Sequence, residues 1–475
     1  MIAWSSILVL CDLLRVNTGP ILLQIVYTYE QITDLKTGKC SRPVYIGCCA
    51  SFPFLSRSLN LPKPTMAEKA LSQVCSGNST FSNKLYEILC RKEGNVFYSP
   101  LSAHAILSLV HQGAAGETAA SMGKSLHLSD SKLAAEGYQS LMETLNAVDN
   151  VTLHIANKVF VHHERKLKGD FDAIAKKHYL AETENIQFSP DSAAAANKIN
   201  GWVENKTNNK IKDLIQPNDL NDDTRLVLVN AIYFKGDWLE QFKPQLTKKE
   251  KFYLNETDTV ECDMMHMNKK FLYGEDNDLD AQILSLPYKN QDLSLMIILP
   301  KSKTGIGALE KKLVTKDLSA LSRSLHKVEV ILSLPKFKIE TTIELNDPLK
   351  EVSHKVEVIL SLPKFKIETT IELNDPLKEL GMGVIFSENA NFPNMLEGGE
   401  PLQVSKVIQK AFIEVNEEGA EAAAATGVTM MLRCAMPRPI PKVVFEANHP
   451  FLFILAYKGG DDFPLFVGKF TTFKN

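Results

Sequence analysis

Residues 228–238, with the sequence LVNAIYFKGDW, contain an apolar run that ends at a Gly-Asp turn. Short runs of β-branched and aromatic residues bounded by turn residues are typical of strands. This run predicts a strand over residues 226–233. Comparable runs predict five further strands in the second half of the chain, at residues 293–299, 412–415, 442–446, 451–456 and 465–470.

The first half of the chain has the spacing of helices. Apolar residues recur at helical intervals within 103–113, where Pro100 lies near the start, as is common at the first turn of a helix. Three more stretches have the same character, at residues 134–148, 169–180 and 193–215. Helices followed by strands predict an α+β fold with largely antiparallel sheets.

The composition indicates a globular protein without an obvious catalytic apparatus. The 475 residues are 44% hydrophobic and 23% charged, with a net charge of −3 and no long basic run, so nucleic acids and anionic membranes are poor partners. No phosphate-binding loop, HExxH or GxSxG motif occurs, and the eight cysteines lack metal-ligand spacing. His104 and His111 lie seven residues apart, which favours surface or capping roles. We therefore expect neither an enzyme nor a cofactor or metal.

Residues 1–65 differ in character from the rest, because helical periodicity begins only after Met66. The apolar run at residues 2–10 is signal-like, yet it lacks a preceding basic region and Asp12 interrupts it. We expect a disordered or signal-like extension followed by a single domain over residues 66–475. An extracellular location is predicted, and a cytoplasmic one is the alternative if translation starts at Met66. Four N-x-Ser/Thr sequons are compatible with secretion, at Asn78, Asn150, Asn205 and Asn255.

The chain contains an internal tandem duplication, residues 326–353 and 354–381. The first 26 positions of the two copies are identical. Structural repeat arrays drift in sequence and need three or more units, so two perfect copies are typical of a recent duplication or of an error in sequence assembly. Each copy reads as a strand followed by a helix start. We expect one copy to pack and the other to loop out, with the second supplying the helix.

The segment 417–433, EEGAEAAAATGVTMMLR, has the alternation of a strand. Its alanines favour a helix, but Gly419, Gly427 and two β-branched residues weaken that interpretation. In an extended chain one face is uncharged and begins with small residues, while Glu421 lies on the other face. The uncharged face carries Ala420, Ala422, Ala424, Thr426, Val428 and Met430. Such a segment is able to enter a sheet, with Gly419 as its hinge.

Arg433 stands at the end of this segment. Cys434 and the proline-containing residues 435–439 follow it, which predicts an exposed, extended loop. A long basic side chain on such a loop suits a protease pocket with a carboxylate at its base. The alternative is an ordinary solvated arginine.

Five ordered motifs resemble the serpin family, and the resemblance covers nearly all of residues 66–475. They are NVFYSPLS at 95–102, GAAGET at 113–118, LVNAIYFKGDW at 228–238, VNEEG at 415–419 and FEANHPFLF at 445–453. The ovalbumin-like branch and its insect relatives are the most similar. The resemblance implies helices packed on three mostly antiparallel sheets, with an exposed reactive-centre loop.

The resemblance also implies a function, the trapping of a serine protease as a covalent acyl complex by a monomeric inhibitor. In inhibitory serpins the first hinge Glu lies 16 residues before the bait residue, so Glu417 points to Arg433 as bait and Cys434 as the leaving side. An Arg bait implies a trypsin-like protease. Arg438 is a poor rival because Pro439 follows it, and Met431 or Leu432 would suit chymotrypsin- or elastase-like proteases. The hinge comprises Glu417, Glu418, Gly419, Ala420, Ala422 and Ala424.

Two positions depart from the family pattern. Ala420 stands where Thr or Ser is usual, but it is small and uncharged, so we expect insertion to survive. Gln409 stands where many members have His, and glutamine can donate and accept but has a different reach. By resemblance, the region beneath the sheet that controls its opening comprises Ser99, Ser102, Asn230, Trp238 and Gln409. We expect altered sheet opening there.

The alternative function is that of a non-inhibitory serpin acting as a binding, carrier or chaperone protein. Such members usually carry bulky or charged hinge residues, which this chain lacks.

Overall fold

The computed structural model describes residues 64–313, 315–316, 318–341, 370–399, 401–417, 442–458 and 463–473. Its α-helices are α1 (Met66–Leu89), α2 (Pro100–Gly113), α3 (Gly116–Leu126), α4 (Ser131–Asn146), α5 (Gly169–Tyr179), α6 (Ser192–Lys206), α7 (Ile306–Leu313), α8 (Leu318–Arg323) and α9 (Asn374–Leu377). Its strands are β1 (Val96–Tyr98), β2 (Val151–His162), β3 (Glu182–Ile186), β4 (Leu226–Gly236), β5 (Lys248–Tyr253), β6 (Thr259–Asp276), β7 (Ala281–Pro287), β8 (Leu293–Pro300), β9 (His326–Pro335), β10 (Phe337–Thr341), β11 (Thr370–Glu372), β12 (Lys406–Val415), β13 (Val443–Glu446), β14 (Phe451–Tyr457) and β15 (Phe463–Phe470).

Six strands form a sheet in the order β10-β12-β4-β2-β3, with β11 also on β12. The central strand β4 is buried at almost every position, because both faces of the sheet are covered. Its even-numbered residues from Leu228 to Phe234 face the main core. Val227, Val229 and Tyr233 face a second apolar cluster under α6.

Nine further strands form a second sheet, in the order β1-β15-β14-β8-β7-β6-β9-β13 with β5 on β6. The resemblance implied three sheets, whereas the described strands form two hydrogen-bonded sheets. The reason is the length of β6, which pairs with β5 through its first residues, with β9 through its middle and with β7 through its end. The α+β class and the packing of helices on mostly antiparallel sheets are confirmed.

Helix α2 lies within the main core and is buried at almost every residue. Ser99 caps its first turn, since the Ser99 side chain accepts a hydrogen bond from the Ser102 backbone N–H at 3.2 Å. Apolar residues of both sheets pack around it. This helix therefore carries Ser99 and Ser102 to the underside of the six-stranded sheet. Among the described helices, none combines the length and apolarity needed to cross a bilayer.

Parts of both copies of the duplication form elements of the fold. The first copy forms β9 and β10, and the second forms β11 and α9, so the expectation that the second supplies the helix is confirmed. The structure describes only part of each copy, residues 326–341 and 370–381, so the expectation that one copy packs and the other loops out stays a prediction. On β12, Thr341 pairs with Ala411 and Thr370 pairs with Lys410, so β10 and β11 take consecutive partners. Residues 342–369 and residues 1–63 lie outside the described residues, and the expectations for the N-terminal extension stay predictions.

Candidate loop-receiving site

The centre of the six-stranded sheet holds a parallel pair between antiparallel neighbours. Strands β4 and β12 pair in parallel from Val227 and Lys406 to Phe234 and Ile413. Their outer neighbours, β2 and β10, pair with them in the antiparallel sense. A strand placed between β4 and β12 in the opposite direction would make antiparallel ladders on both sides, and such ladders are slightly more stable per residue.

Gln409 ties the two strands of this pair together from beneath. Its Oε1 accepts from the Ser99 backbone N–H at 2.9 Å, while its Nε2 donates to Ser99 O at 2.9 Å and to Asn230 Oδ1 at 2.7 Å. Gln409 and Asn230 are directly opposite in the ladder, and both are about 1% exposed. The amide of Gln409 therefore has partners for both of its hydrogens and for its oxygen.

The network extends from Asn230 to two other elements. Asn230 Nδ2 donates to Ser102 Oγ on α2 and, at 2.5 Å, to Asn157 Oδ1 on β2. Ser99 Oγ donates to Leu465 O on β15 at 2.6 Å. Separating β4 from β12 breaks the contact between Gln409 and Asn230, because an inserted strand would double their spacing from about 4.8 Å.

The end of β12 is held by Trp238. The Trp238 indole N–H donates to Asn416 O at 3.0 Å, and its ring stacks on Tyr288 with centroids 4.4 Å apart. Trp238 is 2% exposed. Its position is fixed by this stacking, so it fixes the chain just before the hinge.

Glu417 is the first residue of the predicted hinge and the only hinge residue that the structure describes, and three groups anchor it. Its carboxylate accepts from Thr247 Oγ1 at 3.0 Å and from Lys336 Nζ at 2.8 Å, and its carbonyl accepts from Phe242 N at 3.0 Å. Burial alone would raise the pKa of Glu417. The Lys336 ammonium, the residue's own backbone N–H and the Thr247 hydroxyl outweigh it and lower that pKa.

Helix α6 covers the other face of the sheet through a buried cation. Lys158 Nζ, on β2, lies 3.1 Å from Glu182 Oε2 and 2.6 Å from Glu184 Oε2, both on β3. Trp202 of α6 donates to Glu182 at 2.8 Å, and its ring lies 5.1 Å from Lys158 Nζ. Lys198 and Lys206, also on α6, complete the cluster.

The structure brings together the predicted residues Ser99, Ser102, Asn230 and Gln409, and it places Trp238 and Glu417 at the top of β12. Sequence reasoning missed Asn157 and Lys158. Their signal is a pair of adjacent polar residues directly before the apolar run at residues 159–161, visible only once β2 is recognised. The remaining predicted residues lie outside the described residues, namely Glu418, Gly419, Ala420, Ala422, Ala424, Arg433 and Cys434. Their roles stay predictions. Among the described residues, no group of three or more His, Cys, Asp or Glu side chains is placed to hold a metal.

The fold agrees with comparisons to known proteins. The family model described as serpin (serine protease inhibitor) matches residues 76–355 and 350–472. These two stretches overlap at the boundary between the two copies. Antichymotrypsin-2 of Bombyx mori is 37% identical over 399 residues, 83% of this chain and 97% of that protein. Antitrypsin of Bombyx mori is also 37% identical, over 81% of this chain and 91% of its own. The crystal structure of Serpin48 from Tenebrio molitor matches with a TM-score of 0.70 and 32% identity, covering 84% of this chain and 98% of that one.

The chain belongs to the serpin family. The relatives named as protease inhibitors support protease inhibition as its general function and a protease as its kind of partner.

Proposed function

We propose that this serpin acts as a monomeric suicide substrate of trypsin-like serine proteases, with the Arg433–Cys434 bond as bait. The carrying observation is the parallel β4–β12 pair, since the chain leaving β12 at Glu417 continues into the alternating segment that has one uncharged face. A strand that turns back after Glu417 runs antiparallel to both β4 and β12. The sheet thus offers this segment two new ladders.

The proposed chemistry begins as ordinary proteolysis. The protease serine Oγ attacks the carbonyl carbon of Arg433, the bond to the Cys434 nitrogen breaks, and the new amine takes a proton and leaves. An ester joins Arg433 to the protease. Insertion of the freed segment then carries the protease along and distorts its active site before water hydrolyses the ester.

The composition of the segment supports insertion. The side chains of β4 and β12 alternate between the main core and the cluster under α6, so an inserted strand must present an uncharged face to closely packed neighbours. The face beginning with Ala420, Ala422 and Ala424 meets that need. A charged residue there would be buried without a partner.

The test is a stable covalent complex with trypsin. The full chain should give a complex that survives SDS, and Arg433→Ala should abolish it because the trypsin pocket requires a basic side chain. Arg438→Ala is the matched control and should form the complex as the parent does. Cleavage of the correctly folded parent without complex formation would refute the proposal.

We also propose an extracellular location. The sequons at Asn150, Asn205 and Asn255 are exposed, whereas Asn78 is fully buried and donates to Pro464 O at 3.0 Å. Release of the full chain into the medium by cells that express it would support this location. Retention inside the cells would favour translation from Met66.

A further inference from the structure

The chain contains two copies of the sequence that forms β9 and β10. Residues 354–369 repeat residues 326–341 without a difference. Each side chain of β9 and β10 therefore has an identical counterpart 28 positions later, such as Phe365 for Phe337 and Lys364 for Lys336.

The side chains of β9 and β10 are closely packed, so only a strand with the same sequence can replace them. Leu332 and Leu334 are fully buried in the core. The Phe337 ring lies 4.8 Å from the ring of Phe470, and the rings of Phe451 and Phe453 also contact it. An unrelated strand would not fill the place of β9 and β10, but the second copy meets every requirement.

The present connection interrupts a strand. Thr341 ends β10 and Thr370 begins β11, yet their partners Ala411 and Lys410 are adjacent on β12. If residues 354–369 filled the place instead, Thr369 would precede Thr370 in one unbroken strand. The 28-residue connection would then fall between Leu325 and His354, in the turn that follows α8.

The second arrangement is energetically comparable with the first. The side chains available for the buried contacts are identical in the two copies, and loop-closure entropy depends on loop length, which is unchanged. A turn between two elements accommodates an insertion better than the middle of a strand does.

We propose that the two copies compete for this place and that the folded chain populates both arrangements, with either residues 326–341 or residues 354–369 as β9 and β10. The ion-pair partner of Glu417 is then Lys336 in one arrangement and Lys364 in the other. The proposal rests on the fold and the repeat, and it is independent of which protease is inhibited.

Disulfide trapping distinguishes the arrangements in the full chain. Asn268 lies opposite Ile331 in the β6–β9 ladder, and both residues are exposed. Asn268→Cys is combined with Ile331→Cys in one variant and with its counterpart Ile359→Cys in another, and disulfides formed by the folded proteins are mapped by mass spectrometry. Both pairs should form, well above a chance-encounter control that combines Asn268→Cys with Ser353→Cys. Formation of the 268–331 disulfide with only control-level 268–359 disulfide would overturn the proposal.

Core substitutions give a second measurement. Phe337→Ala and Phe365→Ala should each unfold near the denaturant midpoint of the parent, because the intact copy takes the place. The double variant should have a lower denaturant midpoint than the parent. The decrease should equal the one that Phe337→Ala causes in a single-copy chain lacking residues 342–369. A lone Phe337→Ala variant as unstable as the double variant, with Phe365→Ala neutral, would show that only the first copy is used.

Discussion

Gln409 has an amide where many family members have an imidazole, and the hydrogen-bond network beneath the sheet is still complete at this position. A neutral histidine offers one donor and one acceptor, whereas the amide offers two donors and an acceptor, and here all three have partners. The resemblance predicted only that the reach would differ. The geometry shows that the side chain spans both Ser99 and Asn230.

We predict that Gln409→Ala destabilises the closed sheet. The change removes three hydrogen bonds and leaves polar groups of Ser99 and Asn230 buried without partners, which should lower the free energy of unfolding by roughly 2–4 kcal/mol. Urea unfolding of the intact chain measures the effect. Gln409→His is the matched control, and it should lose less because a donor and an acceptor remain. Equal losses for both variants would argue against the amide contacts.

His104, at the centre of α2, adds a dependence on pH. Its Nε2 lies 2.8 Å from Leu126 O and its Nδ1 lies close to Tyr138 OH, so the neutral ring donates through one nitrogen and accepts through the other. Burial is the main cause that lowers the pKa of His104 to about 4, while the bond to Leu126 opposes it. The unfolded chain therefore takes up a proton on this residue at a higher pH than the folded chain does.

We predict that stability falls as the pH drops from about 6.5 towards 4, because the unfolded state binds more protons in that window. His104 should contribute a loss of about 3 kcal/mol over the window. Denaturant unfolding at a series of pH values measures this loss of stability. His104→Gln is the control, because the carboxylates change the stability of this variant and of the parent equally. The difference between those two proteins should therefore narrow towards pH 4. A constant difference would contradict the assignment.

At the scale of elements, α6 is attached to the six-stranded sheet by two kinds of contact. Its apolar face packs on Val229, Ile408 and Phe412, and the cluster around Lys158 ties its end to β3. Burial opposes ionisation of Glu182 and Glu184, but the surrounding lysines lower the pKa of both. The helix is therefore held by charge at one edge and by apolar contact at the centre.

We predict that Lys158→Met loosens α6. Two carboxylates would lose their buried cation but keep Lys198 and Lys206, so the loss of stability should be about 1–2 kcal/mol. Hydrogen exchange should quicken within residues 192–206 and in β3. Lys176→Met, which removes an exposed pair with Asp172, is the control and should leave both unchanged. Unaltered exchange in α6 after Lys158→Met would rule out this attachment.

The sequence predicted the elements whose apolar pattern is simple. The strand predicted at 226–233 lies within β4, and the helix predicted at 103–113 lies within α2. Helix α2 starts earlier than predicted because Ser99 caps it. The stretch 412–415 is only the end of β12, since the buried Gln409 and Lys410 conceal its first half. The helix expected over 193–215 ends at Lys206, because Asn208 and Asn209 adopt positive φ.

The site could be predicted only in part for the same reason. Motif resemblance located Gln409, Ser99, Ser102 and Asn230, whose meeting depends on strands far apart in sequence. Asn157 joins them only through its register with Asn230 across β2 and β4. Pairing register between distant strands is set by tertiary packing, so a single sequence does not contain it in readable form.

At the scale of the whole molecule, the proposed function implies that the parallel pair makes the intact chain less stable than its cleaved form would be. We predict that cleavage after Arg433 raises the melting temperature by roughly 10 °C, since about ten new ladder bonds contribute on the order of 1 kcal/mol each. Thermal unfolding before and after limited trypsin treatment measures it. The variant Ala424→Glu should be cut after Arg433 as the parent is, but its melting temperature should rise much less, because insertion would bury an unpaired charge. No rise in the cut parent would favour a non-inhibitory serpin that binds or carries other molecules.

The buried network of Gln409, Asn230 and Ser99 has a consequence for handling the protein. Under the proposed function it forms part of the barrier between the active fold and a more stable inactive one, so activity is limited by a rate and not by an equilibrium. Rates of this kind rise about three- to sixfold for every 10 °C. An active sample should therefore have a shelf life that shortens steeply with warming, well below the temperature at which it unfolds.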